Sequence, residues 1–278
     1  MTLRYPLPDI ALAFRALHVP GRPLVLPNAW DPVSAAVVAE AGAPAVATTS
    51  AGLAWALGAA DGDRLDRDRA LDAVARIVDA VPGIPVSADI EGGYAEDAAG
   101  VADTVRAVVV AGAVGVNIED ARHQAGGAPL RCVAEQAERI AAARAVADRA
   151  GVPLFINARI DTFLRGAGGV EPTLERAAAF LAAGADGIFV PGAVDPETVK
   201  ALVAGVDGPL NVMVGPGAPS VAELAALGVA RISAGAGLAQ AAHALVRRAA
   251  RELLREGTYG ALAGGLDYGE LNELLTRA

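Results

Sequence analysis

Three near-copies of one phrase constrain this chain more than any other feature. EAGAPAV (40–46), VAGAVGV (110–116) and AAGADGI (182–188) each join the end of a helical pattern to a short apolar run. ALGVARI (226–232) is a looser fourth copy. A helix commonly closes on a left-handed residue just past its last turn, and glycine takes that conformation without a Cβ penalty. Repeated helix–glycine–strand punctuation predicts βα units in series, and hence a parallel sheet.

Eight apolar runs read as strands, at 24–27, 45–48, 84–89, 114–118, 153–158, 187–191, 210–214 and 229–233. None alternates, as expected of strands buried on both faces. Helical patterns fill the intervals, among them 65–81, 96–111, 196–203, 220–227 and 133–150, which reads as the longest. Asp31-Pro32 is a helix start, and Ser220 followed by Glu223 is a capping-box pattern. Eight βα units predict an α/β chain of TIM (β/α)8 architecture, one domain over 1–278. A helix at 7–17 leads it, and a helical extension from about residue 257 follows. The rival, a doubly wound sheet, needs a glycine-rich turn after its first strand. This chain reads PNAWDP there.

Composition narrows the partners. The net charge of −9 argues against nucleic acid as a ligand. The single cysteine, Cys132, excludes an internal disulfide and fits a reducing compartment. MTLRYPLPDIALAFRAL lacks the basic start and long apolar run of a secretory signal, and no run is long and apolar enough for a membrane span. The expectation is a cytoplasmic protein with no membrane partner.

In a parallel barrel, chemistry gathers at the C-terminal ends of the strands. There this chain places Asp89 and Glu91 (SADIEGGY), Glu119 and Asp120 (NIED), and Asp61 in the loop after the second strand. Hard oxygen donors suit Mg²⁺ or Mn²⁺ better than zinc. Asp89, Glu91 and Glu119 together are expected to hold the metal, since three close acids repel one another without a cation. Asp31, Asp97 and Asp120 read instead as helix caps. Arg159, in NARIDTF, is expected to clamp a substrate carboxylate in a bidentate fork or to balance the acids. Asn157, two residues earlier, reads as a polar group of the barrel core. Thr49, Ser50 and Ala51 offer hydroxyls and backbone N–H groups for an anion, and Asn211 stands at another strand end. His123 is the one histidine placed to act as an acid or base; a solvated loop histidine is the alternative. His18 and His243 fall in helices and read as structural or exposed.

Taken in order, LPNAWDPVSAAVVAEAGAPAVATTSAGLAWALGAAD, SADIEGGY, GVNIED and NARIDTF resemble the isocitrate lyase / phosphoenolpyruvate mutase superfamily over about residues 24–235. The resemblance implies a barrel with Mg²⁺ (or Mn²⁺) at its mouth, acting on α-oxo acids or their enolates. It implies a homo-oligomer, a dimer or a tetramer with a swapped C-terminal helix. It assigns Asp89, Glu91 and Glu119 to the metal, Asp61 and Arg159 to catalysis and substrate binding, and the oxo-acid cradle to Thr49, Ser50 and Ala51. Where the family reads Asp-Ala-Asp-Thr-Gly-Tyr, this chain reads Ser87-Ala88-Asp89-Ile90-Glu91-Gly92-Gly93-Tyr94. This is taken as a lost first aspartate and one inserted residue, with Glu91 as the replacement ligand.

The family's lyase segment Lys-Lys/Arg-Cys-Gly-His, whose cysteine is the general acid, is absent after the fourth strand, where HQAGGAP stands. The expected activity is therefore Mg²⁺-dependent C–C cleavage of a small α-oxo or 2-hydroxy dicarboxylate, of the oxaloacetate-decarboxylase or substituted-malate-lyase type. The proton donor is His123 or a water. One alternative is a P–C bond phosphonomutase or phosphonopyruvate hydrolase, with Arg122 and Arg131 as further basic groups. The other is an α-oxo acid binding protein without chemistry.

Overall fold

Leu24–Leu26 (β1) pairs in parallel with the last strand, while Asn28–Ala29 (β2) pairs in parallel with Val46–Thr48 (β3). The two pieces are one strand interrupted at Pro27, which has no N–H to give to a ladder. This strand joins both ends of the sheet and closes it into a barrel. The computed structural model describes residues 6–123 and 129–276.

The remaining strands are Val86–Asp89 (β4), Gly115–Glu119 (β5), Phe155–Arg159 (β6), Gly187–Val190 (β7), Leu210–Met213 (β8) and Arg231–Ser233 (β9). The nine parallel strands run in the order β1-β9-β8-β7-β6-β5-β4-β3-β2. This is the expected TIM barrel, with each strand within a residue or two of its sequence run and the first one split.

Helices alternate with the strands: Leu7–Ala16 (α1), Pro32–Glu40 (α2), Ser50–Ala56 (α3), Arg67–Ala80 (α4), Ala98–Val110 (α5), Val133–Arg149 (α6), Val170–Ala182 (α7), Pro196–Gly205 (α8), Val221–Ala226 (α9), Gly237–Glu256 (α10) and Tyr268–Thr276 (α11). Asp31 and Ser220 cap α2 and α9 with full capping boxes, and Asp97 caps α5. The longest helix is α10, with 20 residues, not α6, with 17. Its charges hid it, since only Ala239 of α10 is buried. No helix among the described residues is long and apolar enough to cross a membrane.

The helix α1 packs the N-terminal end of the barrel. Phe14 is fully buried, edge-on to Phe155 and to His18. A Cβ at Gly115 would lie 2.7 Å from the Phe14 ring, so glycine at the start of β5 is what admits it. His18 is buried and stacked on Phe155, and burial depresses its pKa to about 3. With that end filled, the C-terminal mouth is left for chemistry.

Candidate active site at the C-terminal mouth

Asp89 is the last residue of β4. Its N–H donates to Thr48 Oγ1 (2.8 Å), and its Oδ2 accepts from the Ser50 N–H (3.2 Å) and Oγ (3.0 Å). Thr49 is the N-cap of α3, so Thr49-Ser50-Ala51 is the opening of a helix turned toward Asp89. The Ser50 amide is already engaged. Burial raises the Asp89 pKa, and Arg159 works against that rise.

Glu119 ends β5 and is 2% exposed. Arg159 NH1 lies 2.7 Å from its Oε2, and His123 Nε2 lies 2.6 Å from its Oε1. Burial opposes the Glu119 charge, but Arg159 and His123 outweigh it and hold the pKa below the usual carboxylate value. The hydrogen bond that Glu119 accepts from His123 in turn raises the His123 pKa. Arg165 reaches the other ring nitrogen, Nδ1, at 3.0 Å. The fork of Arg159 is spent on Asp161, through Nε (2.6 Å) and NH2 (2.9 Å). Arg159 therefore balances two acids, and only its remaining N–H groups are available to a substrate.

Glu91 is 2% exposed and sits in the left-handed region at φ +48°. Its Oε2 accepts the Asp63 N–H, while Oε1 is buried without a partner among the described residues. Burial pushes its pKa up to about 8. Donor atoms of Asp63, Glu91 and His123 lie within 4.8 Å of one another. The donors here are mostly carboxylate oxygens, and Glu91 makes no salt bridge among the described residues. A donor set of this kind fits a hard divalent cation.

A cavity of about 320 Å³ opens at the mouth. Thr49, Ser50, Ala51, Asp61, Asp89 and Arg159 line it, so six of the expected residues converge. Glu119 does not line it and reaches it only through Arg159. His123 and Asp63 line an adjoining cleft with Arg122 and Arg131. Asn211 is 1% exposed and outside the lining; its Oδ1 accepts the Ser233 hydroxyl (3.2 Å), and its Nδ2 has no partner among the described residues. Asn157 donates to Asn117 in the barrel core (2.8 Å). Residues 124–128, most of the segment after His123, lie outside the described residues.

One expectation needs correction. Asp120 caps no helix. It is fully buried, accepts the Asp161 N–H (2.9 Å) and pairs with Arg176 (3.0 Å). The register Ser87↔Gly115, Ala88↔Val116, Asp89↔Asn117 is unbroken, and Ser87 is buried in the barrel with Arg231.

Sequence reasoning missed Asp63, Asp161 and Arg165. The spacing Arg159-x-Asp161 was a signal for the second, because residues two apart at a strand end share a side.

The family model of phosphoenolpyruvate phosphomutase matches residues 14–254. An uncharacterized protein of Mycobacterium tuberculosis (strain ATCC 25618 / H37Rv) is 39% identical over 240 residues, covering 84% of this chain and 87% of that protein. The 2-methylisocitrate lyase of Salmonella typhimurium is 33% identical over 194 residues, 68% of this chain and 63% of the enzyme. Among solved structures, a Burkholderia cenocepacia protein provisionally named a lyase/mutase superposes with a TM-score of 0.88 at 41% identity, covering 96% and 95% of the two chains. Oxaloacetate acetylhydrolase in complex with oxalate gives 0.86 at 26% identity (97% and 94%). Phosphonopyruvate hydrolase in complex with oxalate and Mg²⁺ gives 0.83 at 26% (96% and 95%). The match over most of the chain, on a parallel barrel of the same fold, makes this protein an enzyme of the isocitrate lyase / phosphoenolpyruvate mutase superfamily, which includes carbon–carbon lyases.

Proposed function

We propose that this enzyme is a divalent-metal-dependent lyase that cleaves a C–C bond in a small α-oxo or 2-hydroxy dicarboxylate; an α-oxo acid leaves the enolate of a pyruvate-like fragment, and a 2-hydroxy acid, deprotonated at its hydroxyl, leaves a pyruvate-like keto acid and the enolate of the other carboxylate fragment. The observation that carries the reading is the convergence of Asp89, Asp61, Arg159 and the first turn of α3 on one small cavity. Two relatives of the same fold are known in complex with oxalate, in one case with Mg²⁺ as well. Oxalate has the shape and charge of a pyruvate enolate.

Asp89, Glu91 and Glu119 would hold Mg²⁺ or Mn²⁺, in part through water. When bound, the cation supplies Lewis-acid stabilisation of the charge that develops on the oxo group. Arg159 orients a substrate carboxylate with the N–H groups that Asp161 and Glu119 leave free. The Ala51 N–H has no hydrogen-bond partner among the described residues and Ala51 lines the cavity, which supports a role for that amide toward the developing oxyanion. Ser50 keeps Asp89 in place. His123 lines the adjoining cleft on Glu119 and is our candidate for returning a proton to the enolate.

The lack of a cysteine acid bears on the substrate. Cys132, the only cysteine, is exposed at the N-cap of α6 and does not line the cavity. Isocitrate and methylisocitrate are therefore expected to be poor substrates, by roughly 10²–10⁴-fold for a missing proton donor. The phosphonate alternative is disfavoured because its extra basic groups are occupied: Arg122 and Arg131 both pair with Glu135, at 2.5 and 2.7 Å.

The test is a turnover panel with Mg²⁺ or Mn²⁺ over oxaloacetate, 2,3-dimethylmalate, 2-methylisocitrate and phosphonopyruvate. Cleavage of either of the first two, inhibited by oxalate, is expected. Phosphate release from phosphonopyruvate alone would move the protein to P–C chemistry. Oxalate binding with no turnover of any compound would make it a binding protein.

A further inference from the structure

The cavity is chemically lopsided. Arg159 is the only cationic side chain among its described lining residues. One side of the wall is apolar, formed by Leu164, Phe189, Met213, Val214 and Pro216, while Asn28, Asn117, Ser233 and Gln240 line it elsewhere as uncharged polar groups. Phe189 stands beside Arg159 in the β6–β7 register, with the guanidinium carbon 5.9 Å from its ring centroid. Gly235, at φ +56°, keeps Met213 in the wall, since a Cβ there would lie 2.6 Å from the Met213 sulfur. Leu164 is 47% exposed although it lines a site.

A carboxylate in such a cavity needs a cation or several N–H groups, because an unpaired charge against an apolar wall is strongly penalised. The mouth offers Arg159 on one side and the acid-bound cation with the opening of α3 on the other. Among its described lining residues it offers no second cationic side chain for a further carboxylate. The five apolar side chains on one side of the wall are matched by alkyl surface.

We propose that this wall, with Phe189 at its centre, determines specificity. The substrate carries an alkyl branch that lies on Phe189, and it carries no carboxylate beyond those met by Arg159 and the cation. The inference rests on the α-oxo acid reading of the site and adds the chemistry of the rest of the substrate.

Binding tests it without turnover. With Mg²⁺ present, affinities of pyruvate, 2-oxobutyrate and 2-oxo-3-methylbutyrate are measured by calorimetry, with isocitrate as the counter-probe. Each added methyl is expected to tighten binding about fourfold, from ~0.8 kcal/mol per buried CH₂. Isocitrate is expected to bind more weakly than pyruvate. Phe189→Ala should flatten the series, and Phe189→Leu should keep most of its slope, which separates a lost contact from a damaged fold. A flat series in the parent protein, tighter isocitrate, or an unchanged slope in Phe189→Ala would each overturn the proposal. The slope and the turnover panel fail independently. A flat slope with good turnover removes only the wall, and a steep slope with no turnover removes only the lyase.

Discussion

Glu119 and Arg159 are direct partners across two adjacent strands. They occupy the last paired position of the β5–β6 register, and NH1 of the arginine lies 2.7 Å from Oε2 of the glutamate. The same guanidinium holds Asp161 through its fork. The acid and the arginine are thus already coupled, and changing one changes the other.

An Arg159→Lys variant keeps the charge and loses the fork. Lysine cannot serve Asp161 and Glu119 at once and still meet a substrate. The expected outcome is a fall in kcat/KM of about 10²-fold, together with a drop in melting temperature. Mn²⁺ binding should survive. Kinetics equal to the parent's would reject a substrate role for Arg159.

An Asp89→Ala variant removes an acid from the mouth and leaves the Ser50 hydroxyl and amide without their acceptor. Mn²⁺ affinity, read by calorimetry or electron paramagnetic resonance, should fall at least about tenfold, and activity with it. Full activity of this variant in the presence of chelator would remove the metal from the reaction.

Glu91 makes stability pH-dependent in the metal-free protein. Its folded pKa, about 8, lies above its ordinary value of 4.5. Between those values the native state keeps a proton that the unfolded chain has released. Stability from this group is therefore present below about pH 4.5 and falls as pH rises to about 8, by at most about 5 kcal/mol. Urea unfolding in chelator should show that decline, and Glu91→Gln should flatten it. Added Mg²⁺ should stabilise the parent most at the alkaline end, where the carboxylate is ionised.

His123 is the test of proton return. His123→Gln keeps a donor toward Glu119 but cannot exchange a proton at neutral pH. If His123 protonates the enolate, kcat should fall by roughly 10²–10⁴-fold and lose its alkaline limb, with Mn²⁺ affinity unchanged. A parent-like pH profile would pass the role to water.

The sequence by itself determined the architecture and most of the acids. The Ala-Gly-Ala stops and unalternating apolar runs are local signals, so the strands, and with them Asp89, Glu119 and Arg159 at their ends, could be read from composition and spacing. What it could not show was pairing. Whether Arg159 meets substrate or protein depends on Asp161 and Glu119, and the second of these lies a whole βα unit away in the chain. The split at Pro27 was visible only as a proline; that the two halves pair with opposite ends of the sheet is a property of closure. Asp63 looked like any loop acid until the fold set it beside Glu91 and His123. The apolar wall of the cavity is assembled from β7, β8 and two separate loops, and no stretch of sequence carries it. Local hydrogen bonding and periodicity fix elements, while charge balance and cavity shape arise between elements, and only the tertiary structure decides those.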